Sequence, residues 1–65
     1  MNPESGVVNF ELSGLYISLD QPQKALEYAN KAVVLSPENE WYLANLAVIY
    51  KKLTIIKKVL KVFQN

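Results

Sequence analysis

Displaced by 34 positions, the sequence meets itself. Pro3 falls on Pro37, Glu4 on Glu38, Leu12 on Leu46, Tyr16 on Tyr50, Leu19 on Leu53, Lys24 on Lys58 and Leu26 on Leu60. These are seven identities in 31 overlapping pairs, where composition alone gives roughly two. A period of this length exceeds a single helix or strand and matches a supersecondary unit used twice. The chain is therefore expected to stack two similar units rather than build a mixed fold.

Hydrophobic spacing says what each unit contains. Val8, Leu12, Leu15, Tyr16 and Leu19 form the stripe of an amphipathic helix. Asp20-Gln21-Pro22-Gln23 then interrupts it. Asp20 suits an N-cap, Pro22 suits only the first turn of a new helix, and Asp20 with Gln23 has the spacing of a capping box. A second helix is expected from about Gln21 to Leu35, with Ala25, Leu26, Ala29, Ala32 and Val33 inward. Ser36-Pro37-Glu38 repeats the cap-and-proline pattern and opens a third helix near Asn39. No strand signal competes, so the fold class is all-α, built of antiparallel helix–turn–helix repeats.

Three alanines on a buried face raise a packing question, because cores ordinarily want bulk. Small residues allow another backbone to come close. Ala25, Ala29 and Ala32 are thus read as the seat for a neighbouring helix.

At 65 residues the chain is one domain near the lower limit for a self-sufficient core. It has no cysteine and no histidine, which removes disulfide staples and the usual transition-metal ligands. No apolar run reaches the ~18 residues of a spanning helix, and the first ten residues do not resemble a secretory signal. A cytoplasmic location is the expectation. The net charge of +1 conceals an asymmetry. Residues 1–40 hold all six acids and two lysines, a balance of −4, and residues 41–65 hold five lysines and no acid, a balance of +5. There is no arginine, so bidentate recognition of phosphate or carboxylate is not offered.

At this point the residues resemble the tetratricopeptide repeat family. Its pattern is Trp-x2-Leu-Gly-x2-Tyr, then Ala-x3-Phe, then a late proline. The first unit carries Asn9, Leu12, Ser13 and Tyr16 at that spacing, followed by Ala25, Ala29, Ala32 and Pro37. The second carries Leu43, Leu46, Ala47 and Tyr50, then Val59 and Phe63. The resemblance covers residues 6–53 well and 54–65 loosely. It implies a repeat unit over 6–39 and a divergent one over 40–65. It also implies that Ser13 with Ala25, and Ala47 in the second unit, let antiparallel helices approach closely, while Tyr16 and Tyr50 wedge between units and Ala29 and Ala32 face the helix that begins at Trp41.

The second unit departs from the pattern at its turn. Where the first has Asp20-Gln21-Pro22, the second has Thr54-Ile55-Ile56, and nothing there compels a turn. Leu46, Ile49, Leu53, Ile56, Leu60 and Phe63 continue through it at heptad spacing. Two arrangements stay open: a hairpin, or one long helix over 40–64 that finds its apolar contacts on a second chain, as in a swapped dimer.

Candidate sites follow. No catalytic residues and no cofactor or metal are expected. No nucleophile has a base beside it, and Glu4, Glu38 and Glu40 suit helix starts. In the resembling family the first helix of each unit lines a concave groove that grips a peptide or a partner helix. By register that groove here is Val7, Phe10, Gly14, Ile17, Trp41, Ala44 and Val48, with Phe10 and Trp41 as aromatic anchors. The competing reading is that a neighbouring unit or a second copy covers these residues. A clamp on terminal carboxylates, used by some members, finds one matching asparagine in Asn45, but Phe10 and Gly14 stand where lysine and asparagine are needed. Lys51, Lys57, Lys58 and Lys61 share one helical sector opposite Leu53, Ile56, Val59, Leu60 and Phe63. That basic amphipathic segment suits an anionic membrane or polyanion, or else is a packed last helix with a solvated lysine face. Nucleic acid is not expected, since no aromatics interleave the lysines. The expected role is protein–protein interaction by a homodimer or higher oligomer. Two units leave apolar edges exposed, so the chain either belongs to a longer array or closes them by self-association. A further reading is an engineered or excised repeat with no ligand.

Overall fold

The computed structural model describes residues 5–64. They form three helices, α1 (Gly6–Ser18), α2 (Pro22–Leu35) and α3 (Glu40–Gln64), with no strand among the described residues. The fold is all-α. The helix-start role expected for Glu4 lies outside the described residues.

α1 buries the stripe expected of it only in part, with Val8, Leu12 and Tyr16 half-buried. Leu15 and Leu19 are half exposed, and the fully buried positions are Asn9 and Ser13. The helix is turned so that its small and polar residues face inward and Ser13 and Ala25 are both buried. Burying polar groups costs little here because each is satisfied. The Asn9 amide donates to the Ser5 carbonyl at 2.9 Å, and the Ser13 hydroxyl donates to the Phe10 carbonyl at 2.6 Å.

The first turn also differs from expectation. Asp20 is not an N-cap but the residue that ends α1. Its φ is 58°, its N–H donates to the Ile17 carbonyl at 3.0 Å, and the Gln21 N–H donates to the Tyr16 carbonyl at 2.8 Å. This is a Schellman closure with aspartate in the left-handed position that glycine ordinarily fills. Gln21 becomes the N-cap of α2 without a side-chain cap bond, and Pro22 takes the first helical position, where its missing N–H is not needed.

Ala25, Ala29 and Ala32 are buried as expected. Ala25, Ala29 and Ile49 form the centre of the core, with Tyr16, Ile17, Leu26, Leu46 and Leu53 packed against it. All three helices meet there. Tyr16 packs against the cluster that contains Ile49 of the second unit. It stacks on Tyr28 of α2, ring centroids 5.4 Å apart and nearly parallel. Lys24 and Lys31 lie over the two rings at 5.4 and 5.1 Å.

Ser36 closes α2, and Asn39, not Ser36, caps α3. The Asn39 side-chain oxygen accepts from the Trp41 N–H at 2.9 Å and the Tyr42 N–H at 3.2 Å. From there α3 runs 25 residues without a break, about 37 Å at 1.5 Å per residue. It accounts for the 45 Å long axis of the molecule. Thr54 does not turn the chain; its hydroxyl donates to the Tyr50 carbonyl at 2.9 Å inside the helix. The hairpin alternative is therefore not formed. Ala47, expected at a close helix contact, and Tyr50, expected between units, are exposed, and every residue from Lys57 to Gln64 is exposed as well. The last two turns are not a packed final helix.

Candidate partner-binding groove

Two side-chain contacts mark the seam between α1 and α3 among the described residues. Phe10 stacks on Tyr42 with ring centroids 5.1 Å apart and planes 30° apart. One turn along, the Asn45 amide donates to the Ser13 hydroxyl at 2.8 Å. Gly6 makes this approach possible. A Cβ there would lie 2.9 Å from Cε2 of Tyr42 and 3.4 Å from the Ser36 hydroxyl.

The expected groove residues divide around this seam. Val7 and Gly14 lie one row further round α1 than Phe10, and Trp41, Ala44 and Val48 lie one row further round α3 than Tyr42 and Asn45. All five are exposed, Trp41 at 79% of its surface. Phe10 is half-buried. Ile17 does not line the groove; it packs against the core cluster, because α1 is turned inward on Ser13. Asn45, the one match to a carboxylate clamp, spends its amide on Ser13.

Tyr42 is the residue sequence reasoning missed. It is buried and stacks on Phe10. Its signal lies four residues before Leu46, at the start of the stripe through Ile49 and Leu53.

Lys51, Lys57, Lys58 and Lys61 are exposed along one side of α3. Among the described residues no group of three or more His, Cys, Asp and Glu gathers, and no helix is long and apolar enough to cross a membrane. A separate open recess of about 320 Å³, lined by Asp20, Gln21, Pro22, Gln23, Lys24, Leu53 and Ile56, marks where α3 passes the start of α2. It lies about 18 Å along α3 from Trp41.

No family model matches the chain, and neither a curated protein nor a solved structure does.

Proposed function

We propose that this chain is a non-enzymatic protein-interaction module of tetratricopeptide-like design, working in the cytoplasm. The groove beside the α1–α3 seam takes an apolar peptide or a partner helix. The observation that carries the reading is Trp41. An indole 79% exposed, on a backbone pinned by the Asn39 cap, stands beside exposed Val48 and across the seam from exposed Val7. Large aromatics in a rigid apolar setting are what interface hot spots are made of. The groove needs no reordering, so the bound peptide bears most of the entropic cost.

Trp41 is the only tryptophan, so its fluorescence reports the site directly. An array of short apolar and amphipathic peptides is screened for capture. Captured peptides are expected to shift Trp41 emission to the blue, and Val48→Asp is expected to weaken capture at least tenfold. Capture unchanged by both Trp41→Ala and Val48→Asp would contradict the groove.

A second reading rests on the exposed tail. Lys57, Lys58 and Lys61 oppose Val59, Leu60 and Phe63, all solvent-facing, and such a helix suits an anionic membrane surface.

A further inference from the structure

Trp41, Val48, Ile55 and Val62 stand seven residues apart along α3, and each is more than half exposed. The rank one position on is spent on the fold. Tyr42 stacks on Phe10, Ile49 sits in the core, and Ile56 is half-buried beside the start of α2. α3 therefore carries two neighbouring apolar ranks of the same period, one turned inward and one open to solvent. The open rank begins in the groove, at Trp41 and Val48, and continues through Ile55 to Val62, roughly 31 Å at 1.5 Å per residue. A seven-residue apolar repeat is the pattern that a second helix follows, because its drift of about 20° per heptad is that of a left-handed supercoil.

We propose that the groove's partner is an acidic amphipathic helix lying along α3 from Trp41 to Val62. This rests on the groove reading and names its occupant. The partner's apolar seam packs between successive members of the open rank, and its carboxylates pair with the lysines that border that rank.

Lysine placement selects this occupant. At about 100° per residue, Lys51 and Lys52 lie about 50° to either side of the line from Val48 to Ile55, and Lys58 lies about 50° off the line from Ile55 to Val62. Lys51 and Lys58 are exposed and Lys52 is half-buried. Among the described residues none of the three makes an ion pair, and from Trp41 onward α3 holds no acid to neutralise them. A flat bilayer pressed on this rank would carry the ammonium groups into its apolar layer, where charge is costly. A second copy set two-fold against the same rank would bring Lys51 and Lys58 to their own equivalents, like charge on like. A helix with acids beside its apolar seam covers the rank and pairs the lysines at once. The facing wall says where those acids fall. Ser13 meets Asn45 at an offset of 32 residues, so α1, which ends at Ser18, stops near Tyr50, before all three lysines. The exposed charge on that wall is Glu11, between Val7 and Gly14. The partner is therefore apolar where it lies between α1 and α3, and acidic where it passes Lys51, Lys52 and Lys58.

The probe is a synthetic peptide of about three heptads, free of tryptophan, with leucine at its a and d positions and glutamate at e and g. A peptide with lysine in place of glutamate and phosphatidylserine vesicles are the comparisons, and the emission of Trp41, the only tryptophan, reads all three. The glutamate peptide is expected to shift that emission to the blue and to bind at least tenfold more tightly than the lysine peptide, less so as salt rises. Lys51→Glu combined with Lys58→Glu, both at exposed positions, is expected to invert the preference. Ile55→Gln combined with Val62→Gln is expected to weaken the glutamate peptide at least tenfold while the helical signal is kept. No binding of the glutamate peptide, or equal binding of the two peptides, overturns the proposal. Binding untouched by the two glutamines places the peptide elsewhere and overturns it too. Vesicles that shift the emission where the glutamate peptide does not assign the rank to a lipid surface instead. The groove is judged apart from this, by uncharged apolar peptides: capture of those that is lost in Trp41→Ala keeps the groove even where the acidic partner falls.

Discussion

The side-chain amide of Asn45 donates to the hydroxyl of Ser13 at 2.8 Å across 32 residues of sequence. The Ser13 hydroxyl in turn donates to the Phe10 carbonyl, whose residue stacks on Tyr42. A relay of four residues therefore fixes the register of α3 on α1. Ser13→Ala and Asn45→Ala are each expected to cost about 1 kcal/mol, with a double-mutant coupling of about 1 kcal/mol. Urea titration of the four chains measures it. Additive effects would mean that the bond contributes nothing to the register.

Asp20 occupies a left-handed backbone conformation at φ 58°. Glycine pays no Cβ penalty there, so Asp20→Gly is expected to stabilise by about 1 kcal/mol and raise the melting midpoint by about 4–8 °C. Asp20→Val is expected to lower it. Equal midpoints for the two would contradict the Schellman closure of α1.

The two glycines of the chain call for opposite outcomes. At Gly14 an added Cβ meets nothing within 4 Å, so Gly14→Ala is expected to gain about 0.5–1 kcal/mol from reduced backbone entropy. At Gly6 the same methyl would press on the buried Tyr42 ring, so Gly6→Ala is expected to lower thermal stability. Reversed signs in calorimetry would contradict the packing of α1 against the start of α3.

The sequence reads the helices, their order and the alanine face correctly, because periodicity and proline placement are local signals. It reads the inward face of α1 less well. Leu15 and Leu19 are the more apolar choice, yet Ser13 is buried, since close helix approach rewards smallness over hydrophobicity. The choice between hairpin and long helix turns on an absence at Thr54-Ile55-Ile56. β-branched residues cost only tenths of a kcal/mol each in a helix, and without glycine or proline the helix simply continues. Of the residues expected to line a groove, Val7, Trp41 and Val48 are exposed, while Ile17 packs against the core cluster, following the same rotation of α1.

Ala29 and Ala47 separate core from surface. Ala29→Leu overpacks the buried cluster and is expected to cost about 1–3 kcal/mol at every protein concentration. Ala47 faces solvent, so Ala47→Leu is expected to change stability by no more than about 0.5 kcal/mol. Thermal denaturation over a hundredfold range of concentration checks both.

An unbroken α3 is the feature on which the proposed groove and the exposed tail both depend. Trp41 and Phe63 are both largely exposed, so spin labels at these positions leave the packing intact. Pulsed dipolar spectroscopy on labelled chains diluted with unlabelled protein then measures the separation within one chain. Across 22 residues a continuous helix holds the two sites about 33 Å apart. A separation near 15 Å, the span of a closed hairpin with ordinary helix spacing, would contradict it.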